Sequence, residues 1–278
     1  MDHGLFIAGE ADLEATLLVV RRAPRRAALL CDIDGTIAPI VARPDDAAVP
    51  PRTRELLAAL VRRIGLVAFV TGRGLDDGRR MIPLDGAVYV GTHGLERLDG
   101  DGTRLVEPDA EPYVAVIQEI AAAAASDLGG AARGFVIENK RTVVAVHYRL
   151  ASDKEAAERE ILAKVVGPAR ERGLAISTGH FVYEVRPPVP VTKGTATTRL
   201  LGEGDYLAAM FCGDDLTDVT GFAAVHEWGT RHRYRAACTV AAVTAETPRK
   251  VTAEADVLVR ATDGMSETLG RLLEAAGG

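Results

Sequence analysis

Tryptophan and cysteine are scarce in this chain of 278 residues, which has one Trp and three Cys. Cys31, Cys212 and Cys238 lie in apolar contexts, and their spacing does not match that of metal ligands. The spacing argues against a metal site built on thiolates, and we expect the three thiols to be buried as small apolar side chains.

Long apolar runs and an excess of basic charge are also missing. The longest apolar stretches are short and interrupted by charges, which argues against a transmembrane helix. A signal peptide would begin with basic residues, whereas the first twenty positions carry Asp2, Glu10, Asp12 and Glu14. The net charge of −6 argues against a nucleic-acid or anionic-membrane partner. We expect a cytoplasmic protein, monomeric by default, whose partner is a small molecule.

A short segment in the first part of the chain carries the most informative chemical pattern. An apolar run at 29–31 ends in Asp32-Ile33-Asp34-Gly35-Thr36. Residues two apart on an extended backbone project to the same side, so the two aspartates point the same way. Gly35 lets the chain turn and offers a bare backbone N–H to an anion. A carboxylate pair beside a nest of phosphate size indicates an aspartyl-phosphate site.

Asp-x-Asp-Gly also begins many calcium loops and ordinary turns. An EF-hand loop would need further oxygen ligands at alternate positions and a glutamate at the twelfth. Here Ile37, Ala38, Ile40 and Val41 follow instead. The residues after the motif therefore argue against a calcium loop.

The order of predicted elements indicates the fold. Strand and helix patterns alternate at Ala27–Cys31, Pro51–Arg63, 65–70, 87–90, 194–201, 208–212, 218–225 and 238–243. The intervening segment reads helix 113–125, strands 134–138 and 142–148, helix 154–172, and strands 174–178 and 181–185. The first pattern is typical of a doubly wound parallel sheet and the second of an α/β module on an antiparallel sheet. We therefore predict an α/β fold with a core of residues 1–108 and 188–278 and an inserted domain of residues 109–187.

Three further motifs place polar groups at strand ends or at a helix start. TGR at 71–73 follows a strand, where a hydroxyl and exposed amides can hold a phosphate oxygen. Lys193 begins a helix, where a cation opposes the helix dipole; a phosphate or an aspartate would explain it, and a surface lysine is the alternative. GDDLTD at 213–218 brings together carboxylates that repel each other unless a cation or hydrogen bonds neutralise them, solvated loop aspartates being the alternative.

Taken in order, these four motifs closely resemble those of the haloacid dehalogenase (HAD) phosphatase superfamily. Finer motifs look like those of the trehalose-6-phosphate phosphatases: GTHGLE at 91–96, ENK at 138–140, HYR at 147–149, EVRP at 184–187 and GDDLTD at 213–218. The resemblance spans nearly the whole chain. It implies a HAD-type core, with the insertion acting as a mobile cap that closes on a sugar phosphate.

The resemblance implies the roles of the catalytic residues. Asp32 would attack phosphorus, and Asp34 would protonate the departing sugar oxygen and then deprotonate the hydrolytic water. Thr71 and Lys193 would hold the transferring phosphoryl group and offset its charge.

Mg²⁺ is the cofactor that the resemblance implies. Its ligands would be Asp32, the backbone carbonyl of Asp34, and Asp214, with Asp215 and Asp218 as further candidates. Mg²⁺ prefers few carboxylates together with waters and phosphate oxygens, which this set allows.

The remaining expected site residues would bind the substrate. In the core they are Gly35, Thr36, Gly72, Arg73, Thr92 and His93. In the insertion they are Glu138, Lys140, Arg149 and Glu184, whose charged groups suit a disaccharide because each gives or takes several hydrogen bonds. The family more often has Asn where Thr92 stands, and an acidic pair where Val219-Thr220 follows Asp218.

Several functions are compatible with this pattern. The leading one is a Mg²⁺-dependent hydrolysis of trehalose 6-phosphate to trehalose and phosphate. Alternatives are a phosphatase for sucrose 6-phosphate or for a glucosyl- or mannosyl-glycerate phosphate, a phosphosugar mutase, and a binding module without catalysis. Intact Asp32, Asp34, Lys193 and Asp214 together argue against the last of these.

Overall fold

A computed structural model of the chain describes residues 5–41 and 46–278. The chain divides into two compact units, one formed by Met1–Arg104 and Val191–Gly278 and the other by Leu105–Pro190. In the part of the chain that the structure describes, no helix is both long and apolar enough to span a membrane.

The first unit is built on a mixed, mainly parallel sheet. The strands of this sheet are β1 (Phe6–Ala8), β2 (Ala27–Cys31), β3 (Leu66–Val70), β4 (Val88–Gly91), β5 (Glu96–Leu98), β6 (Arg104–Val106), β11 (Ala208–Gly213), β12 (Ala236–Val243) and β13 (Val257–Arg260). Their order across the sheet is β1-β13-β12-β11-β2-β3-β4-β5-β6. The strands from β13 to β4 run parallel, whereas β1 and β5 pair antiparallel with their neighbours.

Helices cover both faces of this sheet. They are α1 (Glu10–Arg22), α2 (Pro51–Arg63), α3 (Leu75–Met81), α7 (Lys193–Gly202), α8 (Asp218–Thr230), α9 (Arg249–Glu254) and α10 (Ala261–Ala275). Successive residues of β2 alternate between the two resulting cores: Leu29 packs in the core that contains Leu13 and Leu57, and Leu30 in the one that contains Phe222. A strand that is buried on both faces reads as a continuous apolar run, and all five residues of β2 are apolar.

The second unit contains a separate antiparallel sheet. Its strands β7 (Val136–Asn139), β8 (Val144–His147), β9 (Ala175–Gly179) and β10 (Val182–Arg186) lie in the order β7-β8-β10-β9. One face packs on α4 (Val114–Asp127), α5 (Lys154–Ile161) and α6 (Gly167–Glu171), with a π-helical segment at Leu162–Val166 between the last two. The opposite face carries polar side chains at alternate positions of the strands.

The predicted α/β fold class is confirmed, with a parallel core sheet and a second antiparallel sheet. The predicted order α-β-β-α-β-β in the insertion is also found, although the helix predicted at 154–172 is divided by the π-helical segment. The sequence analysis missed β1, α1, α3, β5, β6, α9, β13 and α10. All three cysteines are buried, as predicted.

Candidate active site

The polar motifs of the first unit meet at one edge of its sheet. Strand β2 pairs in parallel with both β3 and β11, so the residues that follow these three strands emerge side by side. The backbone N–H of Asp32 donates to the carbonyl of Cys212 at 2.9 Å. This bond joins the first residue of the DIDGT motif to the residue that precedes GDDLTD. In open α/β sheets, ligands bind outside the carboxyl ends of the strands.

Lys193 lies at the centre of a buried group of charges. Its Nζ is 2.9 Å from Oδ1 of Asp32 and donates to Oδ1 of Asp218 at 2.8 Å. Lys193 is 2% exposed, Asp32 5% and Asp218 0%. The two carboxylates raise the pKa of Lys193 against the opposing effect of burial, so the lysine stays charged. Burial raises the pKa of Asp32, and Lys193 opposes that rise.

The position of Lys193 follows from local structure. It is the first residue of α7, whose start is fixed by a capping box in which Thr192 and Thr195 each bond the other's backbone N–H. The next residue, Gly194, donates its N–H to Oγ1 of Thr220 on α8 at 3.0 Å. Thr220 thereby joins the two helices that carry Lys193 and Asp218.

Three carboxylates in this region could hold a metal ion. Among the described residues, ligand atoms of Asp32, Asp214 and Asp218 lie within 4.8 Å of one another. Burial first, and then the charge of Asp218, raise the pKa of Asp214 to about 7. One lysine cannot neutralise three close carboxylates, so this set fits a divalent cation bound to oxygen ligands.

The acidic residues of this region differ in how their oxygens are used. Asp218 accepts the N–H groups of Asp214 and Asp215 through Oδ2 and Lys193 through Oδ1, so both of its oxygens have protein partners. Oδ1 of Asp215 accepts from the N–H and hydroxyl of Thr217, and Asp215 lies outside the buried cluster. Asp32 and Asp214 are therefore the carboxylates best placed to hold a metal, with Asp218 orienting the loop.

Gly35 and Thr36 place the first motif against Asp214. The hydroxyl of Thr36 donates to Oδ1 of Asp214 at 3.0 Å, across 178 positions of sequence. Gly35 adopts φ +80°, and a Cβ at this position would overlap the carboxylate of Asp214. Glycine is thus required here both by the backbone conformation and by the close approach of a candidate metal ligand.

We expect Gly35→Ala to lower the phosphate release that the sequence motifs predict at least roughly 100-fold, because the added methyl displaces Asp214 by about an ångström or more. Gly102→Ala is the matched control, since Gly102 also has positive φ (+90°) but has no atom within 4 Å of an added Cβ. Both variants carry the cost of a strained backbone, and only the first carries the clash. Equal steady-state activities for the two variants would contradict this reading of Gly35.

Arg73 holds the second aspartate of the first motif. Its Nε and Nη2 donate to the two oxygens of Asp34 at 2.6 and 2.7 Å, and its Nη1 donates to Asp77 at 2.8 Å. Fork-like pairing of this kind fixes both the distance and the plane of the carboxylate. The sequence predicts Arg73 as a substrate-binding residue. In this structure its guanidinium pairs with the carboxylate of Asp34. Sequence analysis missed Asp77, although its i, i+4 spacing from Arg73 is a helical pairing signal.

The ends of β3 and β4 interlock around Gly72. The imidazole of His93 lies against it, so an added Cβ would be 2.6 Å from Cε1 of the ring. Thr92 and His93 both have positive φ, at 48° and 59°, and strain of this kind clusters at functional sites. The N–H of Thr92 donates to the carbonyl of Arg73, and that of His93 to the carbonyl of Thr71. His93 thus supports the loop that presents the 3% exposed Thr71.

In the second unit, three of the four expected sugar-binding residues lie together on the polar sheet face. Lys140 Nζ is 3.5 Å from Glu138 and 3.4 Å from Glu184. Glu138 and Glu184 both pair in register with Ala145 of the central strand β8, so they flank the same small residue. Arg149 is exposed in the turn after β8. Two neighbours were not predicted as site residues, namely His147 beside Glu138 and Ser177 beside Glu184.

Comparison with known proteins gives consistent results. The chain matches the trehalose-phosphatase family over residues 30–255. It is 34% identical over 223 residues to the trehalose-phosphate phosphatase of Mycobacterium tuberculosis, covering 78% of this chain and 56% of that protein. It is also 36% identical over 212 residues to an uncharacterized glycosyl hydrolase of the same species, covering 74% of this chain and 16% of that protein. The chain thus spans about half or less of the length of these relatives.

Among solved structures, the fold is similar to that of a trehalose-6-phosphate phosphatase related protein. The TM-score is 0.70 with 23% sequence identity, and the match covers 89% of this chain and 97% of the other. At this level of identity the similarity concerns the fold.

Proposed function

This chain belongs to the trehalose-phosphatase family, and we propose that it hydrolyses trehalose 6-phosphate to trehalose and phosphate through an aspartyl phosphate on Asp32. The observation that carries the proposal is the buried Asp32 at the end of β2, 2.9 Å from a buried lysine and two residues before Asp34. A carboxylate nucleophile needs a nearby cation to accept the charge of a transferring phosphoryl group.

In the proposed first step, an oxygen of Asp32 bonds to phosphorus as the bond from phosphorus to the sugar oxygen breaks. Asp34 gives a proton to that sugar oxygen, which requires one of its oxygens to leave Arg73. In the second step, the ionised Asp34 takes a proton from water as the water attacks phosphorus, which releases phosphate and regenerates Asp32. Lys193 and the hydroxyl of Thr71 hold the phosphoryl oxygens in both steps.

We propose Mg²⁺ as the metal, held by Asp32, Asp214 and the backbone carbonyl of Asp34. When bound, it supplies positive charge to the phosphoryl oxygens and to the nucleophile. Mg²⁺ suits a site with few free carboxylates, because it keeps several waters and binds the oxygens of the substrate's phosphate.

The raised pKa of Asp214 makes the effect of Mg²⁺ on stability depend on pH. A carboxyl whose folded pKa lies above its ordinary value near 4 contributes stability that is present at low pH and lost as pH rises through about 7. We expect the thermal unfolding temperature of the metal-free protein to fall between about pH 5 and about pH 8. Added Mg²⁺ should raise it more at about pH 8 than at about pH 6, because the bound carboxyl must lose its proton. Asp214→Asn should flatten both trends, and an unchanged Mg²⁺ response in that variant would contradict the ligand assignment.

In this proposal, the polar sheet face of the 105–190 unit binds the sugar. The separations of 3.4–3.5 Å between Lys140 and the two glutamates exceed the 2.7–2.9 Å of strong charged hydrogen bonds. Sugar hydroxyls can therefore compete for these groups at little cost. Arg149 and Thr92 remain further proposed contacts.

We expect Lys140→Met to raise KM for trehalose 6-phosphate about 10–100-fold, since the variant leaves two glutamates without the cation between them. Turnover of p-nitrophenyl phosphate, which lacks a sugar, should stay within about two-fold. Lys164→Met is the control, because Lys164 belongs to the same unit but pairs with Glu160. An equal loss on both substrates would show that Lys140 does not select the sugar.

The substrate is tested by measuring phosphate release with Mg²⁺ from trehalose 6-phosphate, sucrose 6-phosphate, glucose 6-phosphate and glucosylglycerate phosphate. A strong preference for the first is expected. A preference for another member would keep the phosphatase and replace the substrate. An isomeric sugar phosphate without phosphate release would indicate a mutase.

A further inference from the structure

His147 is the last residue of β8 and lies on the polar sheet face. Its Nε2 is buried and lies 3.5 Å from Oε2 of Glu138, the oxygen that also faces Lys140. The contact follows from the register of β7 and β8. Glu138 of β7 pairs with Ala145 of β8, and His147 lies two residues after Ala145 on β8, so the side chain of His147 projects to the same face as that of Glu138. The carboxylate of Glu138 thus lies between a lysine and an imidazole.

Lys140 and His147 do not affect the pKa of Glu138 equally. The pKa of Glu138 is lowered to about 2, and the contact with His147 is the largest cause, ahead of the charge of Lys140, while burial opposes the shift. Lys140 is shared with Glu184, whereas His147 faces Glu138. His147 is therefore the partner that most strongly favours the ionised, oriented form of this carboxylate.

We propose that His147 is a positioning residue for Glu138, and that its change of charge makes the affinity of the site for a sugar phosphate depend on pH. This inference rests on the proposed function. Imidazole is the side chain that ordinarily changes charge between pH 5 and 8. When His147 is protonated, two cations and two carboxylates face each other in this group. When it is neutral, the group has one positive charge fewer beside Glu138, which weakens its attraction for a phosphorylated sugar.

Several charged groups lie on or near this face. They are Glu138 and Lys140 of β7 and its turn, Glu184 and Arg186 of β10, His180 of the β9–β10 turn, and Arg149 of the turn after β8. His180 is the other histidine of this unit that the sequence places near the sheet, and it is exposed and stacks on Phe181. It therefore provides a matched histidine control, because no ion pair of its imidazole with a carboxylate is found in the described part of the chain.

The test compares His147→Gln, His180→Gln and wild type by the KM and kcat for trehalose 6-phosphate between about pH 6 and about pH 8.5. Glutamine keeps a donor near the position of Nε2 but carries no charge. The ratio of the His147→Gln KM to the wild-type KM should be about 5–10 near pH 6 and fall to about 1–2 near pH 8.5, with kcat within about two-fold. Taking the ratio removes the ionisation of the substrate phosphate, which is common to both proteins. His180→Gln should give a ratio near one throughout.

A ratio that does not change with pH, or a loss confined to kcat, would overturn the proposal. If His147→Gln does not fold, Glu138→Gln removes the same contact from the other side, and its KM should rise less steeply with pH than that of the wild type. A wild-type protein that releases phosphate from p-nitrophenyl phosphate but not from trehalose 6-phosphate would reject the proposed substrate and this inference with it. Turnover of trehalose 6-phosphate with parallel KM profiles for His147→Gln and wild type would reject this inference alone.

Discussion

Asp32→Asn should abolish phosphate release, with kcat lower by roughly 10⁴-fold or more, the scale seen when a covalent nucleophile is removed. An amide has the shape of the carboxylate but does not attack phosphorus. Steady-state phosphate release and acid-quench detection of the phosphoenzyme both measure this loss. Asp101→Asn is the control, because Asp101 is an exposed loop carboxylate, and its activity should match the wild type.

The same substitution should not weaken the folded state. Burial raises the pKa of Asp32, so in the metal-free protein its ionised form costs stability at neutral pH and above. Asparagine removes that cost and leaves the pair of Lys193 with Asp218. We expect Asp32→Asn to unfold at the same temperature as the metal-free wild type or higher. A variant that is inactive and also strongly destabilised would not identify a nucleophile.

Lys193→Met should cause the largest combined loss of activity and stability. Removing one member of a buried charge group leaves uncompensated carboxylates, which typically costs about 3–5 kcal/mol in the free energy of unfolding. Here the lysine lies within 2.9 Å of both Asp32 and Asp218, and neither aspartate is more than 5% exposed. Activity should fall by roughly 10³-fold or more, because the transferring phosphoryl group loses the buried cation beside Asp32.

The stability loss in Lys193→Met should depend on pH. Without the lysine, the pKa values of the two carboxyls rise further, so they are protonated at low pH and must be ionised as pH rises. The gap in unfolding free energy from the wild type should therefore be smaller near pH 5.5 than near pH 8, as measured by urea denaturation. Lys250→Met, which changes an exposed lysine, should show no such gap. Wild-type stability of Lys193→Met near pH 8 would contradict the role assigned to this lysine.

The sequence predicted the parts of the fold that have strong periodicity. The predicted bounds of strand β2 and helix α2 match the observed ones. A five-residue apolar run favours a buried strand, and an amphipathic pattern that begins with proline favours a helix with a defined start. Strand β1 has three residues, which is too short for a pattern. Helix α1 did carry a signal, with buried Leu13, Thr16, Leu17 and Val20 at helical spacing, and it was overlooked.

The candidate site was predicted less completely than the fold. Strand ends indicate which residues emerge at the same edge of the sheet, and this is how Asp32, Thr71 and Asp214 could be grouped. The pairing of Arg73 with Asp34 depends on the directions that two side chains take 39 positions apart, which sequence spacing does not encode. His147 was visible only as part of a motif, because its contact with Glu138 arises from strand register. The catalytic and binding roles of all these residues stay predictions.

The sheet order also constrains how the protein is made. Strand β11 lies directly beside β2, although the whole 105–190 unit separates them in the chain. All four strands of the antiparallel sheet in that unit, by contrast, lie within 51 consecutive positions (136–186). On the ribosome, the inserted unit can therefore complete its own sheet while the first motif still lacks its neighbour. The bond between Thr36 and Asp214, which closes a loop of 178 positions, can form only after nearly four fifths of the chain has been synthesised. The proposed catalytic centre is then completed only late in synthesis, because nascent chains that end before β11 lack Asp214, one of the proposed metal ligands.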